Sequence, residues 1–387
     1  NGLVANSTIA GNVRSGIQMS GGVVTGCVIA LNHGEDAYGG GVEAASASLI
    51  LGCTIVSNTS SQGYGGGVEL YYNMSVIDGC LIAWNSSTHP DGPGGGHGGG
   101  GVRMVSGGIV RNSVLRNNRA DNGGGIFASS YANSNMIENC ILENNHSHGY
   151  GGGLYGYGSG PASLTWLSNT TLRANTSSND GGGVNYSVNL QLVACGIISN
   201  RAIDGDGGGI YISEWSPNAT SAVRGCTIQD NHARFTGGGI YTSGGLVQHS
   251  VLAGNYGMSS AGAYLYKSTL RNSLVIYNRG TNSAAVTAVL TSLVENCTIS
   301  DNTVYNTNGI GGLFVGSGSL ARNTIVYHNI PRNISGGFGG SSGVQYFAHC
   351  CLSTNITGNG NINANPLFSN RAGNDYRLLE GSLCVDA

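Results

Sequence analysis

The nine residues Val24-Thr25-Gly26-Cys27-Val28-Ile29-Ala30-Leu31-Asn32 form a frame that recurs along almost the whole chain. The same order of aliphatic, polar, Gly or Asn, small and aliphatic positions, closed by Asn, returns without a gap at residues 50–58, 77–85, 137–145 and 223–231. Counted by its closing Asn, the frame occurs about fourteen times, at intervals of 20 to 33 residues. A period of this length is typical of a solenoid.

A glycine triplet followed by an aliphatic residue lies between successive frames. It occupies residues 39–41, 65–67, 99–101, 123–125, 151–153, 181–183, 207–209 and 237–239, and it decays after that. The chain has 68 Gly and only 6 Pro among its 387 residues. Because Gly lacks a Cβ, these triplets predict positions where the backbones of neighbouring coils approach closely.

The spacing of apolar residues within the frame predicts strands and a bend. In the first frame, the small position is Cys27. Its side chain and that of Ile29, two residues later, point to the same side of the strand. Val24, three residues before the small position, is also apolar and breaks this alternation. A bend therefore lies between them, at a position usually held by Gly or Asn, which tolerate a left-handed backbone. Short strands that turn the same way in every repeat can pair only with their equivalents one repeat away, in parallel.

The sequence thus predicts an all-β fold: a single-stranded, right-handed parallel β-helix, a solenoid of about fourteen coils and roughly 65 Å long at ~4.8 Å per coil. We expect the repeats to span residues 1–355, with residues 356–387 forming a C-terminal capping segment packed on the last coils.

Two columns of like residues follow from this stacking. The small position holds eight cysteines, among them Cys27, Cys53, Cys80 and Cys140, and Ser or Thr in other repeats, which predicts a buried column of small side chains. The closing Asn, including Asn32, Asn58, Asn85 and Asn145, predicts an amide ladder. Cys384 lies outside the column and is a candidate for a disulfide bond with Cys350 or Cys351, which would imply an oxidising compartment.

Composition excludes several classes of function. Charged residues make up only 9% of the chain, the formal net charge is −3 and Lys267 is the single lysine, so nucleic acid is not an expected partner. No apolar stretch approaches the ~20 residues needed to cross a bilayer, and we expect no membrane span.

The outward position after each triplet aliphatic is the candidate binding surface. It includes Glu43, Glu69, Arg103, Phe127, Tyr155, Tyr211 and Tyr241. Exposed aromatic rings along a rod could stack on sugar rings, and the carboxylates and Arg could bind sugar hydroxyls. The rings could equally stack on one another, as cross-strand aromatic pairs do.

The pairing of Gly151-Gly152-Gly153-Leu154 with Leu142-Glu143-Asn144-Asn145 resembles the repeats of chlamydial polymorphic outer-membrane proteins and related bacterial surface β-helix proteins. The chain end, with Asn365-Pro366-Leu367-Phe368, Asp375-Tyr376-Arg377-Leu378 and Gly381-Ser382-Leu383-Cys384-Val385-Asp386-Ala387, resembles the closing segment of choice-of-anchor Q type proteins. This resemblance implies a secreted β-helix at the cell surface.

A second group of candidates is acidic. Asp180, Asp204 and Asp206 lie in the loops before two triplets, and such oxygen-rich loops suit Ca²⁺, the one cofactor that the sequence suggests. Pectate-lyase-like proteins of this fold use bound Ca²⁺ with a basic residue that removes a proton from the sugar. No basic residue stands beside these acids in the sequence.

We therefore expect no catalytic residue and a non-enzymatic extracellular or cell-surface protein, structural or adhesive, that associates with itself end to end or laterally, with a surface fibre as one outcome. Polysaccharide or a cell-surface glycan is the other expected partner. The alternative is a carbohydrate-active β-helix protein, a polysaccharide lyase or hydrolase.

Overall fold

The computed structural model describes residues 2–35, 39–72, 74–92, 96–131, 133–158, 164–214, 220–316, 318–336, 346–354, 356 and 358–385. Its strands form four parallel sheets of 14, 14, 13 and 11 strands, together with one small antiparallel pair. This is the predicted all-β right-handed parallel β-helix, and the expected number of about fourteen coils is confirmed.

The strands of a complete coil follow the chain order A, B, D, C. Sheet A contains Leu3–Ala5, Val23–Thr25, Leu49–Leu51, Val76–Asp78, Ile109–Arg111, Asn135–Glu138, Thr165–Ser168, Leu190–Val193, Ala222–Arg224, Leu246–Gln248, Thr269–Arg271, Leu293–Glu295, Leu320–Arg322 and Phe347–Ala348. Sheet B contains Thr8–Ala10, Val28–Ala30, Thr54–Val56, Leu81–Ala83, Val114–Arg116, Ile141–Glu143, Thr171–Arg173, Gly196–Ile198, Thr227–Gln229, Val251–Ala253, Leu274–Ile276, Thr298–Ser300, Ile325–Tyr327 and Cys351–Leu352.

The other two sheets follow the closing Asn and the glycine triplet, respectively. Sheet D contains His33–Gly34, Thr59–Ser60, Ser86–Ser87, Arg119–Ala120, His146–Ser147, Thr176–Ser177, Arg201–Ala202, His232–Ala233, Tyr256–Ser259, Arg279–Ser283 and Thr303–Val304. Sheet C contains Ile17–Ser20, Val42–Ala45, Val68–Tyr71, Val102–Val105, Ile126–Ser130, Leu154–Gly158, Val184–Ser187, Ile210–Ser213, Ile240–Ser243, Ala263–Tyr266, Val286–Val289, Leu313–Val315 and Ile334–Gly336.

The predicted bend lies where the sequence placed it. The residue before the small position has a positive φ in coil after coil. Examples are Asn6 with +48°, Gly26 with +59° and Asn139 with +52°. A second left-handed position, which the sequence did not reveal, directly precedes the closing Asn and accepts residues as different as Leu31 and Trp84, with φ of +57° and +59°. Two left-handed corners per coil turn the chain from sheet A to B and from B to D.

The closing asparagines from Asn32 to Asn329 form a continuous buried ladder. The side-chain amide of Asn58 donates to Asn85 Oδ1 at 3.0 Å and to the carbonyl of Ile29 on the preceding coil at 2.9 Å, and this arrangement repeats along the described coils. At the C-terminal end, Asn333 accepts from the amide of Asn329 at 2.9 Å. Asn355, the closing Asn expected for the last coil, lies outside the described residues.

The column at the small position is also hydrogen-bonded, which is more than small size requires. The backbone N of Cys53 donates to Cys80 Sγ at 3.3 Å, and the backbone N of Cys80 donates to Ser113 Oγ at 3.1 Å. Sulfur and hydroxyl oxygen therefore perform the same role, which explains why Cys, Ser and Thr exchange there. All eight column cysteines are free and buried.

The C-terminal segment folds back along the outer face of sheet B. An antiparallel pair, Phe368–Asn370 and Asp375–Leu378, is joined by the 3₁₀ turn Arg371–Gly373. The Tyr376 hydroxyl donates to Asp301 Oδ2 at 2.8 Å, and the Tyr277 hydroxyl donates to the Arg371 carbonyl at 3.3 Å. No helix in the described ranges is long and apolar enough to cross a membrane.

Candidate functional site

The seven predicted binding residues lie in one column on the outer face of sheet C, here named the sheet C column. Strand register pairs each member with the next along the axis. Its members from Glu43 to Tyr264 are Glu43, Glu69, Arg103, Phe127, Tyr155, Asn185, Tyr211, Tyr241 and Tyr264. The column divides into a charged and aromatic part, ending at Tyr155, and a tyrosine ladder, defined as Tyr211, Tyr241 and Tyr264.

The expectation that the whole column is exposed is wrong for Glu69 and Phe127, each of which is 0% exposed. Residues 96–98 lie over this part of the sheet: the Gly96 carbonyl accepts from Arg103 Nη2 at 3.2 Å. A Cβ on Gly98 would stand 3.1 Å from Phe127 Cδ2, so the backbone packs directly on that ring. Residues 96–98, which precede the glycine triplet 99–101, thus cover Arg103 and Phe127 in the column.

Glu69 and Arg103 form a buried ion pair under this loop. Arg103 Nη1 lies 2.6 Å from Glu69 Oε1, and Glu69 Oε2 accepts from the backbone N of Gly65 at 2.9 Å. The Arg103 guanidinium also lies over the rings of Tyr64 and Phe127, at 4.9 and 5.3 Å from their centroids. These contacts hold the guanidinium in one orientation.

Burial raises the pKa of Glu69 to about 7, from an ordinary 4.5, although Arg103 favours the charged form. The neighbouring Glu43 carboxylate adds to the increase in the pKa of Glu69. Glu43 is half-exposed and accepts from Gln18 Nε2 at 3.0 Å. A buried carboxyl that exchanges a proton near neutral pH can act as a general acid when substrate reaches it.

The tyrosine ladder has a different geometry. The rings of Tyr211 and Tyr241 are stacked with centroids 4.7 Å apart and planes 14° apart, and those of Tyr241 and Tyr264 with centroids 4.9 Å and planes 16° apart. Mutual stacking, one of the two alternatives, therefore occurs, and the ring faces between neighbours are occupied. All three side chains are half-buried. Ring edges and hydroxyls remain for solvent or a ligand.

The three ladder hydroxyls make no hydrogen bond to any other residue that the structure describes. Burial raises the pKa of all three phenols, and the nearby carboxylates of Asp180 and Asp206 add to the increase for Tyr211 and Tyr241. The pKa of Tyr241 rises to about 12. The ladder thus presents neutral phenols that can donate or accept hydrogen bonds.

The structure does not bring Asp180, Asp204 and Asp206 together as metal ligands. Asp180 Oδ1 accepts from the backbone N of Asp206 at 2.8 Å, and Asp206 Oδ1 accepts from the backbone N of Thr236 at 2.7 Å. Asp204 forms an exposed ion pair with Arg234. Within the described ranges, no group of three His, Cys, Asp or Glu is arranged to hold a metal ion. These carboxylates instead stabilise the loops beside the ladder.

Sequence reasoning missed Tyr264 and Tyr150. Tyr264 pairs with Tyr241, because Ala261-Gly262-Ala263 corresponds to Gly238-Gly239-Ile240 and not to the triplet 237–239. Aligning it with the intact triplets shifts the register by one residue and places Tyr264 at the buried aliphatic position, which is why the sequence did not reveal it. Tyr150 stacks on Tyr155 from a loop, with centroids 6.1 Å apart, and no repeat position predicts this contact.

The C-terminal cysteines occupy different environments. Cys350 stands in the buried column, and its Sγ donates to the Ala321 carbonyl at 3.5 Å. Cys351 and Cys384 are free in this structure, but their thiols are hydrogen-bonded to each other and both line a cavity of about 360 Å³. The hydrogen bond from Cys351 lowers the pKa of the Cys384 thiol.

Comparison with known proteins agrees with this architecture. Residues 40–222 match the family model described as "Right handed beta helix region". That model covers both carbohydrate-active enzymes and surface proteins, so the match leaves the activity open. No curated protein and no solved structure matches the chain. The repeats, their register and this match together identify the chain as a right-handed parallel β-helix repeat protein.

Proposed function

We propose that this protein is a non-enzymatic, adhesive β-helix secreted to a bacterial cell surface, and that it binds an uncharged glycan through the tyrosine ladder. The observation that carries the proposal is the row of three phenolic hydroxyls, on adjacent coils, without a hydrogen-bonding partner in the described residues. Tyr supplies rigid, amphipathic contact area at low entropic cost, which is why it is frequent at binding surfaces.

The repeat of the ladder favours a polymer as ligand. Parallel strands lie about 4.8 Å apart, so hydroxyls recur along the axis at that spacing. A glycan chain lying along the axis would meet one phenol after another, and its hydroxyls could donate to or accept from each. The carboxylates of Asp180 and Asp206 next to the ladder would repel an acidic polymer, which favours a neutral one.

Affinity gel electrophoresis against neutral polysaccharides tests this proposal. The variant with Tyr211→Phe, Tyr241→Phe and Tyr264→Phe keeps the stacked rings and removes only the hydroxyls. Each neutral hydrogen bond is worth ~0.5–1.5 kcal/mol, so the triple variant should bind at least about tenfold more weakly. Tyr305→Phe, at a tyrosine that is 61% exposed outside the ladder, is the matched control. Equal retardation of all three proteins would contradict the proposal.

A polysaccharide lyase or hydrolase is the second candidate, and the Glu69 carboxyl favours it. Glu69 and Glu43 are partners on adjacent strands, and the pKa of Glu69 is raised to about 7. A carboxyl whose pKa is raised in this way can serve as a general acid. Residues 96–98 would have to move, because Glu69 is fully buried.

One assay separates the two candidates. New reducing or unsaturated ends that accumulate with wild-type protein, and disappear with Glu69→Gln, would support the enzyme. Glycan binding without any new ends supports the adhesive protein.

Self-association is a further part of the proposal. A stack of parallel strands can be extended by another copy, end to end, or copies can associate laterally. Electron microscopy across a concentration series should show filaments or lateral arrays. Dispersed monomers at every concentration would contradict self-association without affecting glycan binding.

A further inference from the structure

A cleft of about 450 Å³ crosses four strands on the outer face of sheet A, from Ala222–Arg224 to Leu293–Glu295. Its lining includes three basic side chains, Arg224, Lys267 and Arg271, and one acidic side chain, Glu295. Leu246 and Leu293 contribute apolar surface between these charges. In a chain with 16 basic residues among 387, three around one cleft is a marked concentration.

None of these three cations is neutralised by a carboxylate of the described residues. Arg224 Nη1 donates to the amide oxygen of Gln191, and Arg271 Nε donates to Gln248 Oε1 at 2.8 Å. Both partners are uncharged. Lys267 is exposed, and its ammonium lies over the ring of Tyr266, at 5.5 Å from the centroid.

Elsewhere in the same outward column of sheet A, Arg111 and Arg322 are each paired with a carboxylate. Arg111 Nε donates to Asp78 Oδ2 at 2.8 Å. Glu295 Oε2, at the end of the cleft, accepts from Arg322 Nε and Nη2 at 2.8 and 2.7 Å. Arg322 matches the charge of Glu295. The Glu214 carboxylate beside the cleft accepts from the backbone N of Ser221 at 2.6 Å and contacts none of the three cations. The three positive charges of Arg224, Lys267 and Arg271 therefore exceed the negative charge around the cleft. Within the cleft, the order along this column is Arg224, Gln248 and Arg271, so no carboxylate stands between the two arginines.

We propose that this cleft binds an acidic glycan, with its carboxylates on Arg224, Lys267 and Arg271. Arg224 and Arg271 lie two strands apart, about 10 Å at the usual strand spacing, so a polymer with repeating carboxylates can engage both. The apolar surface of Leu246 and Leu293 suits the C–H faces of sugar rings and offers nothing to an inorganic anion. The inference is independent of the tyrosine ladder, which lies on sheet C.

Isothermal titration calorimetry with an oligogalacturonate tests the proposal directly. The wild type should bind, and binding should weaken steeply as salt rises, because the screening length falls from ~10 Å at 0.1 M to ~3 Å at 1 M. The methyl-esterified oligomer, which has the same sugars without the charge, should bind at least about tenfold more weakly. Arg224→Gln with Arg271→Gln should weaken oligogalacturonate binding by about the same factor or more.

Arg116→Gln is the matched control, since it removes one positive charge from an exposed residue on sheet B. Unchanged circular dichroism and melting temperature establish that the variants fold. Equal binding of the esterified and free oligomers would overturn the proposal. So would an unchanged affinity in the folded double variant, or binding of inorganic sulfate without binding of the oligogalacturonate. None of these three results bears on the neutral glycan expected at the tyrosine ladder.

Discussion

Replacing one ladder asparagine should destabilise the protein by several kcal/mol, and Asn145→Ala is the informative change. Asn145 is 1% exposed. Its Nδ2 donates to the Leu115 carbonyl and to Asn175 Oδ1, each at 3.0 Å. Its Oδ1 accepts from the backbone N and the Nδ2 of Asn118, also at 3.0 Å. Alanine removes all four bonds and leaves the buried backbone N–H of Asn118 and one of its amide protons without an acceptor.

Each orphaned buried donor costs ~1–3 kcal/mol, so Asn145→Ala should lower the free energy of unfolding by about 4 kcal/mol. Urea denaturation followed by circular dichroism measures this. The control is Asn282→Ala, at an exposed asparagine outside the ladder, with an expected change within ~0.5 kcal/mol. A loss below about 1 kcal/mol for Asn145→Ala, at an unchanged denaturant slope, would refute the view that the ladder stabilises the coils.

Three further predictions concern packing, pH and redox state. Gly152→Ala should destabilise the protein by several kcal/mol, because the new Cβ would lie 2.5 Å from the Gly182 carbonyl oxygen. Gly196→Ala is the control: the nearest atom to a Cβ there is 3.5 Å away, so this variant should melt near the wild type. The pKa of Glu69 is about 7 in the folded protein and an ordinary 4.5 in the unfolded chain, so the folded protein keeps a proton that the unfolded chain loses. The free energy of unfolding should therefore fall by about 3 kcal/mol as the pH rises from 4.5 to 7. Glu69→Gln should remove most of this dependence in melting curves recorded at different pH values. Under an oxidising glutathione buffer, non-reducing peptide mapping should find Cys351 joined to Cys384, and two free thiols there would contradict the pairing.

The fold was predictable from the sequence because its determinants are local and repeated. The Gly or Asn before the small position marks a left-handed corner, and the spacing of apolar residues assigns the strand faces. The second left-handed corner was not predictable, because Leu31 and Trp84 are not residues that favour positive φ. At this second corner, the residue after Leu31 or Trp84 is a buried ladder Asn. The hydrogen bonds of that Asn side chain stabilise the left-handed backbone that Leu or Trp disfavours.

The candidate site was predictable in its register and not in its exposure. Repeat alignment placed Glu69 and Phe127 in one column with Tyr211, as the structure has them. Their burial depends on residues 96–98, which belong to a loop between frames and follow no repeat position. The cleft on sheet A was missed for a related reason: the sequence shows which charges share a column, but whether Arg271 contacts Glu295 or Gln248 depends on side-chain geometry.

A crystal structure of the protein soaked with a neutral oligosaccharide that it retards in affinity gels tests the central claim most directly. We predict an intact oligosaccharide along the axis on sheet C, with hydrogen bonds to the hydroxyls of Tyr211, Tyr241 and Tyr264. A ligand seated away from this ladder, or one cleaved beside Glu69, would contradict the claim.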